Sequence, residues 1–267
     1  MSSQKSVDQP VVPRPGRLRL GHVCLDRLTF AEAIDEIERL VEAKRGGAVF
    51  TPNVDHVVNA DRNANLREAY QAAGLCLADG KPLVWASRLL GWPLPEKVSG
   101  ADLIVPLARR AAARGWRIYL LGAGPGVADK AAALLRQRYH LNVVGTDAPR
   151  IDADGTSPDG VVARIRSAQP HLVLVAFGAP KQELFIHRVI DDLRPAVAVG
   201  IGAGLDFVAG TVKRAPRWMS EAGMEWLYRL GQEPRRLWRR YLINDPWFLT
   251  ILYRGLRTPK EQRLAGG

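Results

Sequence analysis

The sequence predicts an α/β fold: a parallel, Rossmann-like sheet with helices on both faces, followed by a C-terminal helical appendage. From residue 18 to residue 210, short apolar runs typical of strands alternate with amphipathic runs typical of helices. After Gly210 the strand-like runs stop, and three helix-like runs follow, each beginning near a proline. We therefore expect an α/β domain at 18–210 and an appendage at 211–267.

The expected strands are short apolar runs, and several of them end in Gly, Pro, Asn or Asp. The first run, LRLGHVCL from Leu18, is expected to be one strand. The next run, TFAEAIDEIERLVEAKR, is expected to be a helix capped by Thr29. The sheet should contain GAVFTP, GLCLAD, WRIYLLGAG, LNVVGT, HLVLVAFGAP and PAVAVGIGAG. Parallel strands end at one edge of a sheet, where α/β proteins bind ligands, so the loops after them should form one composite site.

The composition indicates a folded protein of a reducing compartment. The chain has 267 residues, of which 47% are hydrophobic, and this is enough to bury a large core. Cys24 and Cys76 match neither a disulfide framework nor a metal half-site. The first residues, MSSQKSVDQPVVPRPGR, lack the apolar centre of a signal peptide, and no later run reaches transmembrane length. We expect a disordered leader at 1–17 and a cytoplasmic location.

The charge is concentrated near the C-terminus. Lysine and arginine number 38 against 27 acidic residues, a net charge of +11 that favours nucleic acid, a membrane face or phosphorylated substrates as partners. Seven of these eleven charges come after Gly210. Apolar side chains alternate with the arginines there, as in an element that lies on a membrane: Trp218, Trp226, Trp238, Trp247, Phe248, Leu249, Ile251 and Leu252. Alternatively, the tryptophans pack against the core.

Three other patterns favour loops or ordinary core positions over cofactor or metal sites. The glycines from Gly122 fit a dinucleotide fingerprint only in part, because Val127 stands where glycine or alanine is needed. Asp152 and Asp154 form a D-x-D sequence within a polar, glycine-containing loop. The five histidines lack the spacing of metal ligands. We expect no metal and no cofactor; an NAD-dependent oxidoreductase or epimerase and a basic nucleic-acid-binding module remain as alternatives.

Several short motifs occur together and in a fixed order. They are TPNVDH from Thr51, ADG around Asp79, KVSGADL from Lys97, FGAPKQE, GLDFVAGTVKRAP, EWLYRL and EPRRLWRRYL. From about Leu18 to about Asp245, this series resembles the WecB/TagA/CpsF glycosyltransferases, glycosyltransferase family 26. The resemblance implies a GT-E-like fold and an inverting, metal-independent transfer from a UDP-sugar to a polyprenyl-diphosphate-linked saccharide. It also implies a peripheral enzyme at the inner face of the cytoplasmic membrane.

The resemblance leaves the sugar and the pathway open. The sugar could be N-acetylmannosamine, its uronic acid, glucose or glucuronate, because motifs do not determine the shape of a sugar pocket. The product could be an exopolysaccharide, a teichoic acid linkage unit or a common antigen, and the composition slightly favours the first. No nucleic-acid partner is expected, and a homo-oligomer is possible.

Nine residues are expected at the site because they match family positions. Asp79 matches the proposed general base, which would deprotonate the acceptor hydroxyl, and Thr51 is also placed in the catalytic pocket. Alternatively, Asp79 only caps the helix that follows it. The residues expected to bind substrate are Asn53, Lys97, Gln182, Asp206, Arg229, Arg236 and Arg239. The three arginines would stabilise the departing diphosphate, although they could also be a solvated, lipid-facing surface. Lys97 stands where the family more often has arginine.

Overall fold

The computed structural model describes residues 16 to 265, without the side chains of Arg217, Glu221, Arg236 and Ala265. Within these residues the strands are β1 (Arg17–Leu20), β2 (Val23–Leu25), β3 (Gly47–Phe50), β4 (Leu75–Cys76), β5 (Ile118–Gly122), β6 (Val143–Asp147), β7 (Leu172–Ala176), β8 (Val197–Gly200) and β9 (Leu264–Ala265). The helices of the α/β part are α1 (Phe30–Glu42), α2 (Val54–Arg62), α3 (Ala64–Ala72), α4 (Lys81–Leu89), α5 (Gly100–Arg114), α6 (Val127–Tyr139), α7 (Val161–Ser167), α8 (Lys181–Leu193) and α9 (Gly204–Ala209). The later helices are α10 (Arg217–Glu221), α11 (Glu225–Gln232), α12 (Pro234–Arg239), a π-helical turn (Arg240–Asn244), α13 (Trp247–Arg257) and a 3₁₀ turn (Lys260–Arg263).

The expected α/β, Rossmann-like fold is confirmed. Six strands form a parallel sheet in the order β4-β3-β8-β7-β5-β6. Neighbouring strand residues such as Val49 and Phe50 belong to buried clusters on opposite faces of the sheet. Helices cover both faces, which explains why the strands are continuous apolar runs rather than alternating ones.

The run LRLGHVCL, expected to be one strand, is a hairpin. Gly21 has φ +61°, a left-handed conformation that favours glycine, and the chain reverses there between β1 and β2. The hairpin forms a second, small antiparallel sheet with β9. Most of the expected leader, residues 1–15, lies outside the described residues. Its last residue, Arg17, belongs to β1, where it is buried and donates to the Asp26 carboxylate at 3.0 Å.

The first helix begins where the sequence predicts. The Thr29 hydroxyl accepts a hydrogen bond from the backbone N–H of Glu32, whose carboxylate accepts one from the backbone N–H of Thr29. This reciprocal capping box satisfies two N–H groups that would otherwise lack partners at the start of α1.

The chain after Gly210 contains more helices than the three expected. The run PRWMSEAGMEWLYRLG forms α10 and α11, because Gly223 takes the left-handed conformation at φ +74° and interrupts it. The run EPRRLWRRYLI forms α12 and then the π-helical turn. The division of the chain into two domains at Gly210 stays a prediction.

The apolar residues of α13 are divided between the core and the surface. Phe248 and Ile251 are buried against the cluster that contains the hairpin and α2, so their expected membrane-facing position is wrong. Leu252 and Trp247 also pack against this cluster, and the Trp247 indole donates to Asp61 at 2.8 Å. Leu249 is 68% exposed. One side of α13 therefore anchors the appendage to the α/β part of the molecule.

Truncating Ile251 should loosen this anchor. Ile251 is 2% exposed, and Ile251→Ala would remove buried methyl groups, which costs about 2–5 kcal/mol in a packed site. We expect faster amide hydrogen exchange in 247–257 while the parallel sheet keeps its protection. Leu249→Ala, two residues away but exposed, should leave exchange unchanged; equal effects of the two variants would contradict this anchoring.

Candidate functional site

A cavity of about 350 Å³ lies between the carboxyl edge of the sheet and the helices that follow Gly210. The loop after β3 contributes Asn53, the start of α2 contributes Asp55, and the loop after β4 contributes Asp79. The opposite wall comes from the appendage and includes Ser220, Glu225, Trp226, Arg229, Arg240, Asp245, Phe248 and Leu249. The cavity thus combines charged groups with an apolar wall, as ligand sites in proteins generally do.

Asp79 is held in the cavity wall by main-chain hydrogen bonds. Its backbone N–H donates to the carbonyl of Pro52 at 2.8 Å, and the carbonyl of Ala78 accepts from Val98 at 2.8 Å. Gly80, with φ +116°, is the N-cap of α4, and no side chain caps that helix. Asp79 therefore does not serve as the helix cap. Within residues 16–265 its carboxylate has no hydrogen-bond or ion-pair partner.

The environment of Asp79 favours a carboxylate that can take up a proton near neutral pH. Burial and, less strongly, the nearby Glu225 charge raise the pKa of Asp79 to about 6. Arg229 and Lys97 oppose this rise by favouring the charged form. A carboxylate with a pKa near the working pH, free of partners and facing a cavity, has the properties of a general base.

Two cations beside Asp79 are held by the appendage. The Lys97 ammonium donates to the Ser220 hydroxyl at 2.9 Å and lies 3.8 Å from the Glu225 carboxylate. Arg229 lies 3.6 Å from the same carboxylate and also stacks over the Phe207 ring. Lys97 and Arg229 both line the cavity, and their role in binding substrate stays a prediction.

The motif that contains Thr51 and Asn53 divides into a structural part and a cavity part. Thr51 is buried, is not part of the cavity lining, and donates its hydroxyl to the carbonyl of Gly200 at 3.3 Å. It links the ends of β3 and β8. Asn53 lines the cavity and caps α2 by accepting from the backbone N–H of His56 at 3.4 Å. The structure thus brings Asn53, but not Thr51, to Asp79.

The other expected substrate-binding residues lie away from this cavity or outside the described side chains. Gln182 is buried; its amide donates to Glu183 at 2.7 Å and accepts from the backbone N–H of Gly202 at 3.0 Å. Asp206, half-buried in α9, accepts from the Thr211 hydroxyl at 3.1 Å. Arg239 is exposed and is not among the residues that line the cavity. The side chain of Arg236 is not described. The roles proposed for these residues stay predictions.

Arg240, Asp55 and Asp245 line the cavity although they were not expected there. The Arg240 guanidinium donates to the Asn53 side-chain oxygen at 3.1 Å and lies 3.3 Å from the Asp55 carboxylate. Burial raises the pKa of Asp245 to about 6, and the charge of Asp55 adds to this rise. The motifs TPNVDH and EPRRLWRRYL contain Asp55 and Arg240. Choosing Arg240 over Arg239 requires knowing which face of this helical segment packs against the sheet edge.

A buried polar cluster lies behind the cavity. The His56 ring nitrogen Nδ1 is 2.6 Å from the Tyr70 hydroxyl and 3.7 Å from the Glu183 carboxylate. Burial lowers the pKa of His56 to about 3, so the ring is neutral at physiological pH. Burial also raises the pKa of Glu183 to about 7. The Oε2 atom of Glu183 is buried and has no hydrogen-bond partner in the described part of the chain. A proton on this carboxyl removes the cost of a buried charge.

No cluster of three or more His, Cys, Asp or Glu side chains that could hold a metal ion occurs within residues 16–265. In the D-x-D sequence, the Asp154 carboxylate accepts from the Thr156 hydroxyl at 2.9 Å and from Arg188 at 2.9 Å. These contacts fit the loop interpretation. The same described residues include no helix with the length and hydropathy needed to cross a bilayer.

Replacing Glu183 should change how stability depends on pH. The folded-state pKa of about 7 is above the ordinary value of 4.5, so the folded protein binds this proton more tightly than the unfolded chain. Its stabilising contribution is complete below pH 4.5 and is lost as the pH rises through 7. The difference in melting temperature, wild type minus Glu183→Gln, should therefore decrease as the pH rises from 5 to 8. A constant difference across this range would contradict the buried, titrating carboxyl.

Two comparisons with known proteins show what this chain is similar to. Residues 18–262 match the model of the glycosyl transferase WecG/TagA/CpsF family. The chain is 31% identical over 233 residues to an N-acetylglucosaminyldiphosphoundecaprenol N-acetyl-β-D-mannosaminyltransferase of Bacillus spizizenii, covering 85% of this chain and 86% of that protein. It is 32% identical over 223 residues to the protein of the same name from Bacillus subtilis strain 168, covering 82% and 84%. The chain belongs to the WecG/TagA/CpsF family of glycosyltransferases.

Proposed function

We propose that this protein is an inverting, metal-independent glycosyltransferase that moves a sugar from a UDP-sugar to a polyprenyl-diphosphate-linked saccharide during synthesis of a bacterial surface polysaccharide. The observation that carries the proposal is the Asp79 carboxylate, which faces the cavity without a protein partner and has a raised pKa. Family membership supports sugar transfer, and the two cations beside Asp79 support an anionic leaving group.

The chemistry requires one base and a stabilised leaving group. Asp79 accepts the proton of the acceptor hydroxyl as its oxygen forms a bond to the anomeric carbon. The bond from that carbon to the diphosphate oxygen breaks at the same time with inversion, and UDP leaves. Lys97 and Arg229 face the same cavity and neutralise the charge that develops on the diphosphate. UDP-sugar is a substrate in this scheme, and no cofactor takes part.

The relatives favour one sugar among the four left open by the motifs. Both are named as transferases of N-acetylmannosamine to N-acetylglucosaminyl-diphospho-undecaprenol, and each covers more than four fifths of this chain. We infer that UDP-N-acetylmannosamine is the donor and that the acceptor carries N-acetylglucosamine on a polyprenyl diphosphate. A preference for glucose or a uronic acid would place the enzyme in a different pathway with the same chemistry.

The appendage provides a surface suited to a lipid-linked acceptor. Large apolar side chains are exposed on α4 and on the elements that follow Gly210: Trp85, Leu89, Trp218, Trp226, Trp238, Leu242, Ile243 and Leu249. Arginines and lysines are interspersed with them along the sequence. Exposed apolar side chains with basic neighbours are typical of surfaces that bind anionic membranes. The enzyme therefore acts as a peripheral protein on the inner face of the cytoplasmic membrane.

Asp79→Asn should abolish the transfer while the protein stays folded. Asparagine cannot accept the proton, and we expect kcat/KM to fall by about 10²-fold or more, in line with the loss of a general base. In wild type, kcat/KM should fall about tenfold for each pH unit below 6, because protonation removes the reactive form of Asp79. The measurement is acceptor-dependent UDP release from a panel of UDP-sugars, with and without EDTA.

The Asp79→Asn melting temperature should equal or exceed that of wild type at pH 8, because the ionised carboxylate is disfavoured by burial. Asp192→Asn, an exposed carboxylate on α8, is the matched control and should keep full activity. Full activity in Asp79→Asn would refute its role as base, and loss of wild-type activity in EDTA would refute a metal-independent mechanism.

Polar substitutions in the exposed apolar surface should weaken membrane binding. Replacing both Leu242 and Leu249 by serine removes two side chains that are at least 60% exposed. We expect binding to phosphatidylglycerol-containing vesicles to weaken about tenfold or more, since full burial of even one leucine contributes about 1.5–3 kcal/mol. Leu134→Ser, on α6 and outside the cavity lining, is the control and should bind like wild type. Unchanged binding of the double variant would refute this surface as the membrane contact.

A further inference from the structure

The oxygen of the Asn53 side-chain amide already accepts hydrogen bonds, whereas its nitrogen is available to donate one. The oxygen accepts from two groups that can only donate, the backbone N–H of His56 at 3.4 Å and the Arg240 guanidinium at 3.1 Å. These two donors determine the orientation of the amide, because exchanging its oxygen and nitrogen would set donors against donors. Within residues 16–265 the amide nitrogen has no hydrogen-bond partner, and Asn53 lines the cavity.

Arg240 is itself held in place. Its Nε atom lies 3.3 Å from the Asp55 carboxylate, and the two side chains are largely buried, with 24% and 10% of their surfaces exposed. The guanidinium also stacks over the Tyr241 ring, with 5.5 Å between the guanidinium carbon and the ring centre. Asp55 and Asn53 belong to the same loop and helix start, whereas Arg240 opens the π-helical turn of the appendage. The three side chains therefore join the two walls of the cavity.

We propose that Asp55 and Arg240 are positioning residues that orient the Asn53 amide so that its NH₂ group donates to an oxygen atom of the substrate. This inference rests on the proposed function and adds to it. Arginine suits this task because its planar fork reaches Asn53 with one nitrogen while another faces Asp55. Lysine has a single ammonium group and cannot reproduce both contacts in one geometry. The substrate group is an uncharged or anionic oxygen acceptor, such as a sugar hydroxyl, an acetamido carbonyl or a phosphate oxygen.

The test is a double-mutant cycle between positions 53 and 240, measured in kcat/KM for acceptor-dependent UDP release. Asn53→Ser keeps an oxygen that can cap α2 but loses the amide donor. We expect Asn53→Ser to lower kcat/KM about 10²-fold and Arg240→Lys to lower it about tenfold, since small displacements of positioning groups have effects of this size. If Arg240 acts through Asn53, Arg240→Lys should change kcat/KM less than about twofold in the Asn53→Ser background.

Two further variants separate positioning from general stability. Asn53→Asp keeps both contacts of the oxygen but removes the NH₂ donor, so it should keep the melting temperature and lose activity as Asn53→Ser does. Arg254→Lys is the matched control, because Arg254 also faces an α2 carboxylate, Asp61 at 3.5 Å, but lies outside the cavity lining. It should change kcat/KM less than about twofold, as expected for an exposed ion pair.

The outcomes distinguish this inference from the proposed function. Wild-type protein without acceptor-dependent UDP release from any donor would overturn the proposed function, and with it the catalytic role of Asn53. An active wild type in which the effects of Asn53→Ser and Arg240→Lys multiply would overturn only the positioning role. An active Asn53→Asp variant would overturn the donor role of the amide. An Arg254→Lys variant as impaired as Arg240→Lys would indicate a general weakening of the appendage and would also overturn the proposal.

Discussion

The main-chain hydrogen bond from Asp79 to Pro52 is the contact on which the site depends. It continues the pairing of β3 with β4 beyond the end of the sheet, so that the loops after these strands stay side by side. Asn53 and Asp79 are thereby placed in the same cavity, with no hydrogen bond between their side chains in the described part of the chain. Because main-chain geometry sets this arrangement, the side chain of Asp79 is left free for chemistry.

The appendage completes the electrostatic environment of Asp79. The sheet edge alone would leave the carboxylate open to water, which would favour its charged form and a low pKa. Helices from beyond Gly210 cover it and bring Glu225 and Arg229 close. Desolvation and the like charges of Glu225 and Asp102 outweigh two nearby cations. The same segment contributes the apolar wall formed by Phe248 and Leu249. The pKa of Asp79 and the apolar wall of the cavity therefore both depend on the packing of the appendage over the sheet edge.

The sequence predicted the parts of the molecule that depend on local patterns. All six strands of the parallel sheet, the Thr29 cap and a cavity position for Asp79 could be read from periodicity, capping residues and motif order. The features that the sequence did not predict depend on the direction in which a side chain points. Thr51 and Gln182 point into the protein, where backbone groups engage them, and Ile251 faces the core while Leu249, half a turn away, faces solvent. Likewise Arg240, at the junction of α12 and the π-helical turn, lines the cavity, whereas its neighbour Arg239 does not.

The small antiparallel sheet of β1, β2 and β9 has a consequence for the motion of the appendage. The segment between Gly210 and Leu264 begins at the parallel sheet and returns to pair with β1, and Arg263 donates to the carbonyl of Leu90 at 2.8 Å. Both ends of the segment are thus tethered. Release of its middle part would gain only the entropy of a closed loop, which grows slowly with loop length. Rebinding would be intramolecular, at a high effective concentration and independent of how dilute the enzyme is.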